Sequence, residues 1–111
     1  MGCFEEATFR GITGAPYRFE VHDRSAGFRD VGAVYVFARR MSKPAGGFVL
    51  APHFIGQTPR LGETILAHER WPGVDRTGRT TICVMAAEDE VRRREIEADF
   101  LAAHVPPCNE R

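Results

Sequence analysis

The sequence has few cysteines, and their spacing excludes two common kinds of small protein. Its three cysteines are Cys3, Cys83 and Cys108, and no C-x-x-C pair is present. This pattern gives no support for a disulfide framework or a structural zinc site. We expect Cys83 to be a buried strand residue and the other two to be near-terminal thiols.

The sequence also lacks a long apolar segment. No apolar stretch approaches the ~18–20 residues that a membrane span requires, and the first ten residues carry acids and no apolar core of a secretion signal. We therefore predict a cytoplasmic protein. The chain of 111 residues with 43% apolar content predicts one domain with a packed interior.

An excess of charge of one sign is absent as well, because 15 basic and 15 acidic residues give a net charge of zero. Their distribution is uneven: residues 36–80 contain seven basic and three acidic side chains. Residues 1–35 contain four basic and five acidic side chains, and residues 81–111 contain four basic and seven acidic side chains. A basic middle segment permits one positive face, although the same charges can also be spread over a solvated surface.

Three strands are predicted in the first half of the chain. Residues 17–21 alternate apolar and polar side chains, and residues 31–38 form an apolar run typical of a central strand buried on both faces. Residues 42–47 contain a Lys-Pro pair and two glycines, which predicts a turn. Residues 48–55 resume the strand pattern, and Pro52 indicates an edge position or a bulge. The last two strands would form an antiparallel hairpin.

The second half predicts helix, strand and helix. The helices would cover residues 62–70 and 88–104, with a strand at residues 80–86 between them. We therefore predict an α+β fold in which helices flank a small central antiparallel sheet. Residues 1–30 would be an N-terminal extension with an extra strand at the sheet edge, or a contact surface for a partner protein.

Short motifs occur along these elements in one order. They are Ala33-Val34-Tyr35, Phe54-Ile55-Gly56-Gln57-Thr58, Leu61 with His68, and the helical segment around Glu97 followed by Pro106-Pro107-Cys108-Asn109. In this order they resemble the GIY-YIG nuclease module over residues 31–109. The resemblance implies a GIY-YIG-like fold and a metal-dependent DNA endonuclease that hydrolyses phosphodiester bonds through an activated water.

The resemblance also implies roles for individual residues. Tyr35 would orient or deprotonate the attacking water, and His68 would share the proton transfer. Glu97 would supply a carboxylate oxygen to a single Mg²⁺ or Mn²⁺ ion. Asn109 would hydrogen-bond the tyrosine or a phosphate oxygen, and Gly56 would let the backbone approach the substrate.

The sequence departs from the family pattern at its catalytic positions. The second tyrosine of the family is Phe54 here, and its helical arginine is Thr64, four residues before His68. The arginine stabilises charge on the phosphate, and such a donor typically lowers the activation free energy by ~2.7–4 kcal/mol. Arg60 is the nearest replacement for it. Gln57 stands where the family often has lysine, and this change removes one phosphate contact. The residues that would contact the substrate are Arg60, Gly56 and Gln57.

These departures keep other hypotheses open. One is a catalytically inactive GIY-YIG-fold module that binds nucleic acid or a protein partner. Another is a homodimer in which the partner supplies the missing arginine.

Structural interpretations also remain open for single residues. Tyr35 can be a strand aromatic, His68 an exposed helical residue, and Asn109 part of a frayed tail. Glu97 can pair with a neighbouring arginine instead of a metal ion. The arginines at 92–94 each follow an acid by four residues, which predicts a solvated helix face rather than a DNA-binding patch.

Overall fold

The computed structural model describes residues 5–23, 28–67 and 80–104, and these form one sheet with two helices. The elements are β1 (Glu5–Arg10), β2 (Pro16–Asp23), β3 (Ala33–Ser42), β4 (Phe48–Thr58), α1 (Leu61–Ala67), β5 (Thr80–Ala86) and α2 (Glu90–Ala103). The five-stranded sheet has the order β1-β2-β5-β3-β4, and every neighbouring pair is antiparallel. The prediction of an α+β domain with an antiparallel sheet and packed helices is confirmed at this level.

Strand β3 is the central strand that its apolar run predicts. It pairs with β4 on one side and with β5 on the other, and residues 33–38 are all buried. It continues to Ser42, four residues beyond the predicted end. Strand β4 is an edge strand, and its register with β3 shifts opposite Phe37 and Ala38. Pro52 lies at this bulge. Proline favours such a position because it has no amide hydrogen to donate to a neighbouring strand.

The N-terminal strands differ from the prediction. The strand expected at residues 17–21 is present as β2, but it lies between β1 and β5 rather than at the sheet edge. Strand β1 occupies that edge and was not predicted. Its inward positions carry only Ala7 and Phe9, so the apolar alternation is too short to recognise.

The sheet has an apolar cluster on each face, because alternate residues of β3 point to opposite sides. Helix α2 packs on one face and α1 on the other. The α2 face contains Phe9, Phe19, Val34, Val36, Ile96 and Phe100, and the α1 face contains Ala33, Tyr35, Phe37, Leu61, Ile65 and Ile82.

Local contacts fix the start of each helix. Asp89 is the N-cap of α2, and its carboxylate accepts a hydrogen bond of 3.3 Å from the Val91 amide. The carboxylate of Asp30 accepts a hydrogen bond of 2.8 Å from the Glu63 amide in the first turn of α1. No helix within the described ranges is long and apolar enough to cross a membrane.

Cys83 is fully buried in β5, as predicted, and burial raises the pKa of its thiol to about 12. The positive charge of Arg40 opposes this rise in pKa. Cys3 and Cys108 lie outside the described residues. Cys83 is therefore a packing residue.

The arginines at 92–94 do not form one solvated face, so that prediction is wrong for Arg93. Arg94 pairs with Glu90 at 2.8 Å as expected, whereas Arg92 lies 3.7 Å from Glu95 instead of Glu88. Arg93 is only 4% exposed. It lies three and seven residues before Ile96 and Phe100, so it belongs to the buried face of α2.

Asp99 joins α2 to the turn between β1 and β2. Its carboxylate accepts hydrogen bonds from the Tyr17 hydroxyl at 2.5 Å and from the Thr13 hydroxyl at 2.8 Å. The Thr13 amide donates a further bond of 3.0 Å. A Cβ on Gly11 would overlap this carboxylate, so the turn approaches Asp99 more closely than a side chain permits.

Candidate functional site

Tyr35 and Gly56 are directly opposite each other on β3 and β4. The tyrosine side chain lies over the glycine, because a Cβ on Gly56 would come within 2.6 Å of the hydroxyl oxygen. The neighbouring ring carbon would be 2.7 Å away. Gly56 therefore provides space for Tyr35 itself, and a larger residue would displace the ring.

The phenol of Tyr35 has an unusual environment. It is only 4% exposed, and burial raises the pKa of Tyr35 well above its ordinary value. The negative charge of Glu97 raises the pKa of Tyr35 further. The hydroxyl is consequently protonated near neutral pH and is suited to donate a hydrogen bond.

Glu97 is a partly buried carboxyl on α2, beside the fully buried Ile96. Desolvation raises the pKa of Glu97, while the charge of Arg94 opposes that rise. Among the residues that the structure describes, none forms an ion pair or hydrogen bond with this carboxylate. The predicted alternative, in which Glu97 pairs with Arg93 or Arg94, is therefore not observed.

An aromatic group surrounds Tyr35 on the α1 face. The ring of Phe54, at the position of the second family tyrosine, lies 6.0 Å from Tyr35 and 5.9 Å from Phe37 between centroids. Tyr35 and Phe37 are 5.6 Å apart. Phe54 therefore contributes an aromatic ring without a hydroxyl, and it packs against apolar neighbours.

Thr64, where the resemblance leads us to expect an arginine, forms a hydroxyl pair with Thr58. The Thr64 hydroxyl lies 2.6 Å from the Thr58 hydroxyl. The Thr58 hydroxyl oxygen also accepts a hydrogen bond of 3.0 Å from the Arg60 amide. The guanidinium of Arg60 is exposed and lies 4.0 Å from the Glu63 carboxylate. Arg60 thus forms a solvent-facing pair on α1 and does not take over the place of the missing arginine.

Gln57, which is predicted to contact substrate, accepts a hydrogen bond from a buried arginine. Its side-chain oxygen accepts 2.9 Å from Arg93 Nε, and the same guanidinium donates to the carbonyls of Ala87 and Glu88 at 3.0 and 2.8 Å. A Cβ on Gly32 would overlap this guanidinium. These contacts fix the end of β4 against the start of α2, one turn before Glu97.

Two predicted site residues, His68 and Asn109, lie outside the described residues. Within the described part of the chain, Tyr35 and Gly56 are predicted positions that the fold places in contact, whereas Glu97 lies on α2, which packs on the other sheet face. Glu97 supplies a single carboxylate here, since no cluster of three or more potential metal ligands occurs among the described residues.

His53 is a partly buried histidine at the bulge. Phe37 pairs with Phe54 and Ala38 with Pro52, so His53 is the extra residue of β4. Both ring nitrogens are buried and have no hydrogen-bond partner among the described residues. Burial lowers the pKa of His53, and the charge of Arg39 lowers it further, so the ring is neutral.

A cleft of about 430 Å³ opens on the same sheet face as Tyr35. Its floor includes Val84, which is the β5 partner of Tyr35, and the Phe28 ring forms part of its wall. His22 packs edge-on against Phe28 at 5.4 Å and lies 3.3 Å from Glu20. The strand alternation of residues 17–21 predicted a half-buried strand, but not this concave surface.

Comparison of the chain with protein-family models, with curated proteins and with solved structures gives no match.

Proposed function

We propose that this protein has a GIY-YIG-like fold and is a cytoplasmic, metal-dependent endonuclease that hydrolyses phosphodiester bonds of DNA. The observation that carries the proposal is the Glu97 carboxylate, which is partly buried and forms no hydrogen bond or ion pair with the residues that the structure describes. An unpaired carboxylate in a desolvated position costs folding free energy. A cation that binds there would recover this cost.

The donor set fits one hard divalent cation. Mg²⁺ prefers oxygen ligands and commonly uses one or two protein carboxylates together with water and substrate phosphate. Glu97 would hold this ion, with Mn²⁺ as the alternative. The bound ion would supply Lewis-acid stabilisation of the charge that develops on the phosphate.

Tyr35 would act as a hydrogen-bond donor rather than as a base. Its raised pKa keeps the hydroxyl protonated, so it can orient a water molecule or a phosphate oxygen but cannot readily accept a proton. His68 and Asn109 retain the roles that the resemblance implies, in proton transfer and in hydrogen bonding. Gly56 keeps the space over β4 open for the tyrosine.

A second candidate is a catalytically inactive module of the same fold that binds nucleic acid or a protein partner. The hydroxyl pair of Thr58 and Thr64 favours it, because that pair replaces the guanidinium expected to stabilise the phosphate. Arg60 is directed to Glu63 and does not fill this role. A homodimer that supplies the arginine from its partner would reconcile the two candidates.

Cleavage of supercoiled plasmid and of branched DNA separates these candidates. The full chain is incubated with Mg²⁺ or Mn²⁺, and Glu97→Ala is compared with Glu95→Ala, whose carboxylate is exposed and pairs with Arg92. We expect wild type and Glu95→Ala to cut, and Glu97→Ala to be inert. A folded wild type that is inert with both metals contradicts the nuclease assignment and supports the binding module.

A further inference from the structure

In the part of the chain that the structure describes, the β3–β4 hairpin extends beyond strand β5. Within the described residues, β5 pairs with β3 only as far as Arg39, whereas β3 and β4 remain paired up to Ser42 and Phe48. The turn that joins them contains Gly46 and Gly47, both with positive φ. We call residues 39–51 the β3–β4 arm. It is a two-stranded ribbon, an element that the major groove of duplex DNA admits.

The arm is basic and contains no compensating charge. The sequence has no acidic residue between Asp30 and Glu63, while the arm contains Arg39, Arg40 and Lys43. Arg39 and Lys43 are exposed, and neither forms an ion pair with a residue that the structure describes. Exposed cations such as Arg39 and Lys43 can contact an external anion.

The arm also has exposed apolar side chains between its cations. Met41 and Val49 are cross-strand partners, and each is 42% exposed. Alternation along β3 places Arg39 and Met41 on the same face as Tyr35. A partner that contacts this face therefore meets positive charge and apolar surface in line with the candidate site.

We propose that the β3–β4 arm binds the backbone of duplex DNA along the face that carries Tyr35. The choice of DNA rests on the proposed function, whereas the charge complementarity of the arm is independent of it. Met41 lies six residues from Tyr35 along an extended strand, which corresponds to roughly 20 Å. At about 3.4 Å per nucleotide, the arm would contact DNA about six base pairs from the cleaved bond.

Equilibrium binding without metal tests the arm separately from catalysis. Fluorescence anisotropy of a labelled 24-base-pair duplex is measured in EDTA, with every variant made in the Glu97→Ala background. We expect Arg39→Gln combined with Lys43→Gln to weaken binding about tenfold at 100 mM salt. We also expect this pair to reduce the slope of log Kd against log salt by about two.

Two comparisons keep the test specific. Arg92→Gln combined with Arg94→Gln removes the same charge from exposed positions on α2, which packs on the other sheet face, and Kd should change less than twofold. Ala45→Glu adds an acid to the exposed turn without altering the arm strands, and it should also weaken binding. Thermal unfolding verifies that each variant is folded.

Equal weakening by both double variants, or no effect of the arm pair, would overturn the arm as the binding element. Tighter binding of an RNA duplex of the same sequence would overturn DNA as its partner. Binding that depends on the arm in a protein that cuts no DNA would contradict the nuclease proposal and leave the arm assignment standing. Cleavage that is insensitive to the arm pair, with Kd unchanged, would contradict the arm assignment and leave the nuclease proposal standing.

Discussion

Glu97 has a carboxylate whose burial is not offset by a partner among the described residues. The folded protein binds its proton more tightly than the unfolded chain does, so ionisation at neutral pH reduces stability. We predict that Glu97→Gln raises the free energy of unfolding in EDTA at pH 7 by roughly 0.5 kcal/mol or more. Urea denaturation measures this change.

The stability difference between Glu97→Gln and wild type should depend on pH. The advantage of Glu97→Gln should shrink as the pH falls through the raised pKa of Glu97, where the wild-type carboxyl becomes neutral. Glu95→Gln is the control and should alter stability by no more than about 0.5 kcal/mol. A destabilised Glu97→Gln would show instead that the carboxylate has a structural partner.

Gly56 should be intolerant of even one added methyl group. Because a Cβ would lie 2.6 Å from the Tyr35 hydroxyl oxygen, Gly56→Ala must displace the buried ring. We expect a loss of roughly 1–3 kcal/mol in urea unfolding. In combination with Tyr35→Leu, the two losses should not add, since the clash is then removed. Additive losses would place the strain elsewhere.

Asp99 should make stability depend on acid pH. Its bond from the Tyr17 hydroxyl, together with those from Thr13, lowers the pKa of Asp99 in the folded state. The stability that this carboxylate contributes is complete above its unfolded pKa of about 3.9 and is lost as the pH falls through the lower folded pKa. Wild type should therefore exceed Asp99→Asn in urea unfolding at pH 6, with the difference disappearing in strong acid. A difference that is constant with pH would contradict this assignment.

At the scale of elements, apolar periodicity predicts most of the sheet. The continuous run in β3, the edge position of β4 with Pro52, and β5 all follow from side-chain patterns. Strand β1 could not be predicted in this way, because its own apolar alternation is too short. Its strand structure depends on its hydrogen-bonded pairing with β2. A helix at residues 62–70 was predicted, and α1 is described as Leu61–Ala67.

The burial of Arg93 shows where charge patterns mislead. The i,i+4 spacing to Asp89 predicted an exposed pair, but acceptors from β4 and from the start of α2 satisfy the guanidinium instead. Acceptors so distant in sequence are not visible in a local pattern.

Arg93 should contribute strongly to stability. We predict that Arg93→Met costs about 2–3 kcal/mol in urea unfolding, since the carbonyls of Ala87 and Glu88 lose their donor. Arg92→Met is the matched control, and its cost should stay within about 0.5 kcal/mol because its ion pair is exposed. Similar costs for both variants would mean that the guanidinium contacts do not stabilise the fold.

At the scale of the whole molecule, motif order predicted which residues could meet, and the antiparallel register accounts for how Tyr35 and Gly56 do so. The effect of the Glu97 charge on the pKa of Tyr35 depends on how α2 packs on the sheet, which no local pattern specifies. The same holds for the hydroxyl pair of Thr58 and Thr64. The sequence therefore predicts which positions could form a site, whereas the protonation and the partners of these residues depend on the folded structure.

The most direct measurement of the central claim is the single-turnover cleavage rate of a labelled DNA duplex with Mg²⁺, for wild type and for Glu97→Gln. Identical purification of the two proteins controls for contaminating nucleases. We predict that wild type cuts and that Glu97→Gln is slower by at least about 100-fold while remaining folded. Equal rates for the two proteins would contradict the assignment of Glu97 as the carboxylate on which hydrolysis depends.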